Sequence, residues 1–280
     1  MEHAFDLFEP AVSGYPRRAE MLPASQFESG RWRARFARSP GELDAIQQLR
    51  FDVFNVELGE GLEASHETRR DEDRFDAQCH HLLVEEKTTG QVVGTYRMQT
   101  QEMAHAGCGF YSAIEYDLSR LPAEMLGDSV EVGRACIHRD HRHKLVLFLL
   151  WQGLAAYVLA ARKRYLFGCS SLTSQDPAQG LRLYRQLREA GAVHPHLDVP
   201  PLPGARCDLL EPEIASSGQD PGGDQSPVHL PRLFRTYLRY GAQVVSAPAL
   251  DREFKTIDYL MLIDVAGLSP RTRQVFFGGR

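Results

Sequence analysis

The chain has 280 residues, of which 43% are hydrophobic and 25% are charged, and these are the proportions of a globular protein. Its 32 lysines and arginines stand against 37 aspartates and glutamates, a formal charge of −5. That balance argues against general nucleic-acid binding, which needs a basic face. Five cysteines without a C-x-x-C pair support neither a disulfide framework nor a zinc knuckle, and a reducing cytoplasm fits them best.

The predicted elements begin after an irregular N-terminal leader, residues 1–34, in which prolines and glycines interrupt any periodicity and no apolar run of a secretory signal occurs. From Pro40, apolar residues recur every three or four positions. This spacing predicts an amphipathic helix that Ser39 or Gly41 can cap. A polar, acidic loop follows over residues 60–78.

Two strands, HHLLVEE and QVVGTYRMQT, come next and are separated by KTTG, so we predict a hairpin with Gly90 at its turn. The segment DSVEVGRACIH predicts a further strand. Residues 145–161 form an apolar run that reaches only the ~17-residue minimum for a membrane span, and Gln152 and Gly153 interrupt it. We therefore predict a helix buried against the sheet.

The second half of the chain continues the alternation of strands and helices. RYLFGCSSL predicts a buried strand, and a leucine-rich helix follows it. Residues 211–229 are rich in Gly, Pro, Ser and Asp and predict a flexible insertion. LPRLFRTYLRYGA predicts another helix, and short strands are expected near Val244 and over residues 257–265. We expect one α/β domain over residues 35–268. A tail over residues 269–280 completes the chain.

Three local motifs have alternative chemical interpretations. His66 and Asp71 match an H-x4-D dyad, but roughly 0.7 such spacings are expected by chance alone in this composition, so the match carries little weight. The histidines of HRDHRHK suggest a metal, yet the neighbouring arginines repel a cation and favour an anion at a helix N-terminus. We predict no metal. GCSSL, with Cys169, lacks the second glycine of a nucleophile elbow, and we favour a closely packed strand end.

Four polar clusters occur in a fixed order along the predicted elements. They are Arg50 with Phe54 on the first helix, Asp73 with Asp76 in the acidic loop, Arg97 on the hairpin, and Glu131 with Arg134 on the next strand. Each alone has a plain structural explanation, such as a solvated acidic loop or an ion pair between Glu131 and Arg134 or Arg97. The order of the set is more informative than any member.

This order resembles the N-terminal half of the acyl-homoserine-lactone synthases, which are GNAT-fold enzymes. FDAQCHHLLV, VVGTYR, EVGRACIHRDHR, the LLWQGL helix, FGCSSL, LPRLFRTYLRYGAQV and DREFKTIDYLMLIDV resemble the ornithine N-acyltransferases, also described as hemolysin-like, and the related N-acyl amino acid synthases. The resemblance covers about residues 35–265. It implies a GNAT-type α/β fold, a mixed β-sheet flanked by helices with a C-terminal extension. The implied reaction moves a (3-hydroxy)fatty acyl group from acyl carrier protein to the α-amine of ornithine, giving lyso-ornithine lipid.

The resemblance also implies roles for the ordered set. Glu131, assisted by Arg134, is the candidate base, acting directly or through a water. Asp73 and Asp76 are expected to face the acceptor pocket and hold an ammonium group, with Phe54 beside them. Arg50 and Arg97 either hold that loop or bind the acceptor carboxylate. Backbone amides of the central strand, or the hydroxyls of Ser170 and Ser171, are candidates to receive the oxyanion.

The expected acyl donor follows from a difference between this sequence and the coenzyme-A-dependent GNAT enzymes. Coenzyme-A-dependent GNAT enzymes carry a glycine-rich loop where this chain has RDHRHK, so tight wrapping of a pyrophosphate is not expected. An acyl-phosphopantetheine carried by acyl carrier protein, as co-substrate and without a permanently bound cofactor, fits basic residues better. The expected docking residues are Arg139, Arg142 and Lys144, joined by Arg162, Lys163 and Arg164. An apolar tunnel for the chain, or else ordinary core, is expected from Phe148, Trp151, Leu154, Leu172, Leu181 and Tyr184.

Three alternatives remain open. The first is an N-acyl amino acid or acyl-homoserine-lactone synthase, although Glu60 stands where the lactone synthases have tryptophan and so weakens a S-adenosylmethionine site. The second is a membrane-active, hemolysin-like protein without catalysis, supported only by residues 145–161. The third is an anion- or nucleic-acid-binding module that uses HRDHRHK. We expect a cytoplasmic enzyme, with peripheral contact at the inner face of the membrane left open.

Overall fold

One mixed sheet organises the residues that the computed structural model describes, which are 14–210 and 227–277. Its strands lie in the order β1-β2-β3-β4-β5-β6-β9-β7, and β8 pairs with β9. Neighbours are antiparallel except β5 and β6, which are parallel. The strands are β1 (Phe27–Ser29), β2 (Trp32–Phe36), β3 (His80–Glu86), β4 (Val92–Thr100), β5 (Ser129–Ile137), β6 (Tyr165–Leu172), β7 (Gln243–Val244), β8 (Ala249–Asp251) and β9 (Thr256–Asp264).

Helices flank the sheet and supply its connections. Within the described residues they are α1 (Pro40–Phe51), α2 (Ser65–Thr68), α3 (Gln101–Ala106), α4 (Ala123–Gly127), α5 (Lys144–Ala161), α6 (Pro177–Glu189), α7 (Cys207–Leu210), α8 (Arg232–Arg239) and α9 (Pro270–Phe277). The hairpin at Gly90, the strand after residue 128 and the helices predicted between residues 40 and 240 are confirmed.

The first helix shows how local sequence sets the site. The Ser39 hydroxyl accepts a hydrogen bond from the backbone amide of Glu42, and proline occupies the first turn, so α1 begins where the sequence predicts. Leu43, Ile46 and Leu49 are buried. After α1 the chain continues as a π-helical turn, Asp52–Glu57, which carries Phe54 toward the centre of the sheet.

Two irregularities of β5 open the sheet at its centre. Opposite Tyr96 of β4, two residues of β5, Arg134 and Ala135, take the place of one. Arg134 has a φ of +48° there, as a bulged residue in the left-handed region does. On its other side β5 pairs with β6 over only three residues, Ser129–Glu131. The two strands therefore separate beyond Glu131.

The close approach of β5 and β6 before they separate requires a glycine. A Cβ atom on Gly168 would lie 2.0 Å from the carbonyl oxygen of Val132, a distance that no side chain can adopt. Beyond this point β6 continues with β9 as far as Leu172. The result is a V-shaped gap with its narrow end at Glu131.

Helix α5 packs against the sheet, as predicted. Within the described residues it is the one helix long and apolar enough to cross a membrane, and half of its length is buried in the structure. Its buried face includes Val146, Leu149, Leu150 and Tyr157. The segment behaves as a core helix, so the membrane-active alternative loses the feature on which it rested.

The predicted domain limits need correction at both ends. The leader, residues 1–34, was expected to be irregular, yet β1 and the start of β2 extend the sheet within it, and Trp32 is buried. The tail, residues 269–280, contains α9, where Phe276 packs against the ring of Trp151, with 5.0 Å between ring centroids. Apolar contacts with the core account for both differences. Most of the insertion predicted over residues 211–229 lies outside the described residues.

Candidate active site

A cavity of about 870 Å³ occupies the gap between β5 and β6. Its walls come from β4, β5, β6, α5, α8 and the π-helical turn after α1. Eight predicted site residues line it: Phe54, Arg97, Glu131, Arg134, Arg142, Lys144, Ser170 and Ser171. Arg50, Asp73, Asp76 and Arg139 lie outside this lining. The sheet thus brings most of the predicted set together.

Glu131 is buried at the narrow end of the gap and is held by four hydrogen bonds. The Gln99 side chain donates to Oε2 at 2.6 Å and the Tyr111 amide at 3.0 Å. The Ser112 amide and hydroxyl both donate to Oε1 at 2.7 Å. No arginine pairs with Glu131 among the described residues, so the ion pair with Arg134 or Arg97 considered above is wrong. Because a carboxylate offers about four acceptor sites, all are occupied.

The three arginines of the ordered set join three aspartates in one network. Arg50 is fully buried and donates to Asp71 at 2.7 Å and to Asp76 at 2.7 Å. Arg97 donates to Asp73 at 2.6 Å and to Asp76 at 2.9 Å. Arg134 donates to Asp73 at 3.1 Å and lies 3.3 Å from Asp71. Three positive and three negative charges balance one another.

This network corrects the roles expected for the acidic loop. Burial would raise the pKa of Asp76, but the charge of Arg50, a hydrogen bond from His81 and the charge of Arg97 hold it well below its ordinary value. Asp73 and Asp76 are therefore occupied by arginines and do not present a free carboxylate to an acceptor ammonium group. Of the two roles considered for Arg50, holding the loop is the one that its contacts fit.

Arg134 reaches the cavity in a fixed orientation. Its guanidinium lies between two rings, 4.6 Å from the centroid of Tyr111 and 4.3 Å from that of Phe254. Phe54 packs edge-on against Phe254 with 5.3 Å between centroids. The Nε and Nη2 atoms of Arg134 face Asp71 and Asp73, so Nη1 is the nitrogen that the aspartate network leaves available. Arg97 also contacts the Tyr111 ring, at 5.3 Å.

The end of β6 brings small polar side chains to the cavity. Ser170 and Ser171 line it, and their register partners on β9 are Tyr259 and Asp258. Cys169 is not poised as a nucleophile, because burial followed by the nearby carboxylates raises the pKa of its thiol well above the ordinary value. The preference for a packed strand end over covalent chemistry agrees with this environment.

A second group of carboxylates, absent from the sequence prediction, lies beside the serines. Asp258 lines the cavity, accepts a hydrogen bond from Thr256 at 2.9 Å, and has its pKa raised to about 6 by burial and by the charge of Asp251. Glu115 is buried behind it beside the Asp258 carboxyl, and among the described residues no N–H or hydroxyl group donates to either of its carboxylate oxygens. Glu60 also lines the cavity, and burial raises its pKa to about 7.

Two of these carboxylates and the neighbouring Cys169 thiol lie close enough together to ligate one cation. One carboxylate oxygen each of Glu115 and Asp258 and the sulfur of Cys169 lie within 4.8 Å of one another. A metal site would need the thiolate, whereas burial favours the neutral thiol. The donor set therefore suits a cation that needs only carboxylate oxygens.

A basic rim surrounds the outer mouth of the cavity. Arg142 lines it and pairs with Glu57 at 2.6 Å, and Lys144 begins α5 beside it. Helix α8 adds Arg232, Arg235 and Arg239, which are exposed and line the cavity. Arg139 is exposed in the preceding turn. We call Arg139, Arg142, Lys144, Arg232, Arg235 and Arg239 the basic rim.

The second predicted basic cluster does not belong to this rim. Arg162, Lys163 and Arg164 follow the other end of α5, whose 18 residues make it about 27 Å long. Lys163 binds Glu102 and Arg164 binds Asp264. These residues stabilise the far side of the domain.

The expected acyl tunnel is only partly present. Trp151 and Leu154 line the cavity, together with Leu147, Leu150 and the rings of α8. Four others, Phe148, Leu172, Leu181 and Tyr184, belong to or pack against the main core and not to the cavity lining. The ordinary-core interpretation holds for those four, because they lie on faces of α5, β6 and α6 turned to the core.

The two histidine motifs serve local structure. His66 packs edge-on against Phe51, while Asp71 binds Arg50, so the two do not form a dyad. In HRDHRHK, the His143 side chain accepts from the Leu145 amide at 3.2 Å and stacks on Trp32. One amide at this helix N-terminus is therefore already occupied, which reduces its capacity for an anion.

Sequence reasoning missed Ser112, Asp71, Glu115 and Asp258 as parts of this site. Asp71 had a local signal, since it begins the same acidic run as Asp73. Ser112 and Glu115 lie in a segment without periodicity, and only the turn Tyr111–Ile114 brings them to Glu131 and β6. No local pattern could identify them.

The fold and cavity define a class of protein. Residues 49–152 match the family model described as an acetyltransferase (GNAT) domain. The chain combines this domain with a cavity between the splayed strands β5 and β6, and it is a GNAT-type acyltransferase, as the sequence predicted.

Similar proteins narrow this class. An L-ornithine N(alpha)-acyltransferase of Agrobacterium fabrum is 33% identical over 259 residues, 89% of this chain and 86% of that protein. One from Rhodobacter capsulatus is 34% identical, covering 86% of this chain and 93% of that protein. The solved structure of the AHL synthase LasI aligns with a TM-score of 0.45 at 12% identity, covering 89% of this chain and 96% of that chain. The chain belongs to the L-ornithine N(alpha)-acyltransferase family.

Proposed function

We propose that this acyltransferase moves a (3-hydroxy)fatty acyl group from acyl carrier protein to the α-amine of ornithine, giving lyso-ornithine lipid. The family's name supports the acceptor. The observation that carries the chemistry is the placement of Glu131 and Ser112 at the narrow end of the β5–β6 gap. A thioester is already activated, so the protein has to orient the amine, remove its proton and stabilise the oxyanion.

The proton leaves through Ser112 in this proposal. Glu131 has no free acceptor site, but the Ser112 hydroxyl donates to it at 2.7 Å and also lines the cavity. The hydroxyl oxygen can accept the amine proton while its own proton passes to Glu131. This relay replaces the direct contact, or the water, considered from sequence. An α-amine, with a pKa of ~7.7–8.0, costs less to deprotonate than a side-chain amine at ~10.4.

The acceptor carboxylate belongs at Arg134. Its guanidinium is held between Tyr111 and Phe254, with Nε and Nη2 directed to the aspartates, so Nη1 is the nitrogen that we assign to the acceptor carboxylate. Arg97 adds a second positive charge on the neighbouring strand, and Phe54 closes that wall. The network with the three aspartates keeps both arginines in position, so Asp73, Asp76 and Arg50 act through them.

The thioester enters along β5. Beyond Glu131 this strand has no β6 partner, which leaves backbone amides free to bind an extended pantetheine arm and the oxyanion. Ser170 and Ser171 line this space from opposite faces of β6, and the Ser171 hydroxyl is directed to Asp258. The acyl chain extends between α5 and α8, where Leu147, Trp151 and the α8 rings give an apolar wall.

Acyl carrier protein docks at the basic rim in this proposal. The rim surrounds the cavity mouth and combines Arg139, Arg142 and Lys144 with three arginines of α8, which suits a large acidic partner with one phosphodiester. No bound cofactor is required. The enzyme acts in the cytoplasm, and contact with the inner face of the membrane, where its product would accumulate, is peripheral.

Incubation of the pure protein with acyl-carrier-protein thioesters and a panel of amino acids tests this function. We expect free thiol to be released with ornithine and the rate to fall as salt screens the rim. The same acyl group on coenzyme A should react more slowly. Absence of thiol release with every amine would contradict the proposal, and equal rates with both carriers would contradict the donor.

A further inference from the structure

A pair of buried carboxylates, Glu115 and Asp258, lies one contact beyond the proton relay. Ser112 accepts a weak hydrogen bond from the Cys169 thiol at 3.7 Å, and the Cys169 sulfur is within 4.8 Å of both carboxylates. Asp258 opens onto the cavity through β9, directly opposite Ser171 of β6. Asp258 is therefore reached from the same space as Glu131, and a carboxylate oxygen of Glu115 lies within 4.8 Å of it, behind the cavity lining.

The electrostatics of this pair are unfavourable without a cation. Glu115 is 4% exposed, and within the part of the chain that the structure describes its carboxylate oxygens receive no hydrogen bond from an N–H or hydroxyl group, only the approach of the Asp258 carboxyl. Burial first, and then the charges of Asp258 and Asp251, raise its pKa well above the ordinary value. The nearest cation acting on it is Arg134, which is committed to the aspartate network. Buried carboxylates of this kind are normally paired.

We propose that Glu115 and Asp258 form a seat for the side-chain ammonium of a diamino acid whose α-amine faces Ser112 and Glu131. This inference rests on the proposed function and names the feature that selects the acceptor. The two nitrogens of ornithine are separated by five bonds, about 6 Å when extended. That length suits the short series of contacts from Ser112 through Cys169 to the two carboxylates.

The seat explains why one nitrogen reacts and the other does not. An ammonium held by two carboxylates keeps its proton and cannot attack a thioester, because opposite charge stabilises its charged form. The α-amine, which lies near a hydroxyl and not near a free carboxylate, loses its proton more easily. Glu60, bonded to Thr173 on the same cavity wall, adds negative potential toward the same end.

Kinetics with matched acceptors test the seat. Norleucine has the shape of ornithine with a methyl group in place of the ammonium, so it makes every contact except the one proposed here. We expect the wild-type protein to prefer ornithine over norleucine, in kcat/KM, by roughly 10- to 100-fold. Glu115→Gln and Asp258→Asn should remove most of this preference by raising KM for ornithine while activity on norleucine is kept.

Three controls make the outcome decisive. Glu253→Gln removes an exposed carboxylate from the turn between β8 and β9 and should leave the preference unchanged. Thermal melting shows whether each variant folds. Glu115→Gln should melt close to wild type, because glutamine has the size of the neutral acid that burial favours at this position. Ornithine should raise the melting temperature of wild type more than that of either seat variant.

A folded Glu115→Gln and a folded Asp258→Asn that both keep the wild-type preference would overturn the seat and leave acyl transfer intact. A Zn²⁺- or Mg²⁺-dependent stabilisation that requires both carboxylates and that ornithine does not compete with would also overturn it. Absence of thiol release with every amine would instead contradict the proposed function. In that case the ornithine-induced shift in melting temperature, compared between wild type and the two variants, would by itself test whether Glu115 and Asp258 bind the ammonium group.

Discussion

Replacing Glu131 by Gln is the perturbation whose effects can be worked out most fully from the contacts. The carboxylate accepts from two donors on each oxygen: the Ser112 amide and hydroxyl on one, the Gln99 side chain and the Tyr111 amide on the other. A glutamine can turn its amide either way. In each orientation its NH₂ group meets one backbone amide, at Ser112 or at Tyr111, that cannot turn away.

One buried amide is therefore left without an acceptor, at a cost of about 1–3 kcal/mol. For a chain of this size each kcal/mol lowers the melting temperature by roughly 2–4 °C, so Glu131→Gln should melt several degrees lower and remain folded at 25 °C. Turnover falls much further, because the relay loses its terminal proton acceptor. We expect a loss of about 10²–10⁴ in kcat.

The assay is thiol release from an acyl-carrier-protein thioester with saturating ornithine, measured beside thermal melting by circular dichroism. Glu253→Gln, the same change at an exposed position, is the matched control and should match wild type in both measurements. A folded Glu131→Gln with kcat within about threefold of wild type would refute the relay, since acid–base catalysis typically contributes far more than this.

Ser112→Ala should lower kcat by at least roughly tenfold without lowering affinity for the acyl donor. Single-turnover kinetics should show a slower chemical step, and an unchanged rate would show that Ser112 is not part of the relay. Arg50→Met leaves Asp71 and Asp76 buried without their main partner. A urea titration should show that it lowers the free energy of unfolding by about 3–5 kcal/mol. A loss below about 1 kcal/mol would contradict the stabilising role of the network. Charge reversal at Arg235 on the basic rim should raise KM for the acyl carrier protein and leave KM for ornithine unchanged, and equal effects on both would argue against docking there. Burial raises the pKa of Glu60 to about 7, so the native state binds this proton more tightly than the unfolded state does, and the stability that Glu60 contributes should fall as pH rises through this range. Buried His80 and His81, whose pKa values are lowered, act in the opposite direction, so the test is the difference in melting temperature between wild type and Glu60→Gln. This difference should fall from pH 5.5 to pH 7.5, and a constant or rising difference would contradict the assignment.

The sequence predicted the fold well where periodicity was strong. The apolar spacing of α1 and the alternation around Gly90 are local signals, and both elements formed as expected. The β1–β2 pair was missed because each strand is short and Gly30 interrupts them. Helix α9 was missed because its apolar residues come only at its end, where Phe276 docks on Trp151.

For the site, the ordered set identified the right strands but not every partnership. Arg97, Glu131 and Arg134 do reach the cavity, since each lies on β4 or β5. The acidic loop was assigned to the wrong partner: Asp73 and Asp76 bind arginines, and the free carboxylate is Glu115. Which carboxylates pair with arginines and which do not depends on how distant segments meet in three dimensions, and spacing along the chain does not encode this.

The product formed from ornithine and an acyl-carrier-protein thioester tests the central claim most directly. Fragmentation of the product by mass spectrometry locates the acyl group. We expect a single acyl group on the α-nitrogen, and with Glu131→Gln at the same enzyme concentration and early time we expect at least about 10²-fold less of this product. An acyl group on the δ-nitrogen, or the same yield from the folded variant, would contradict the account.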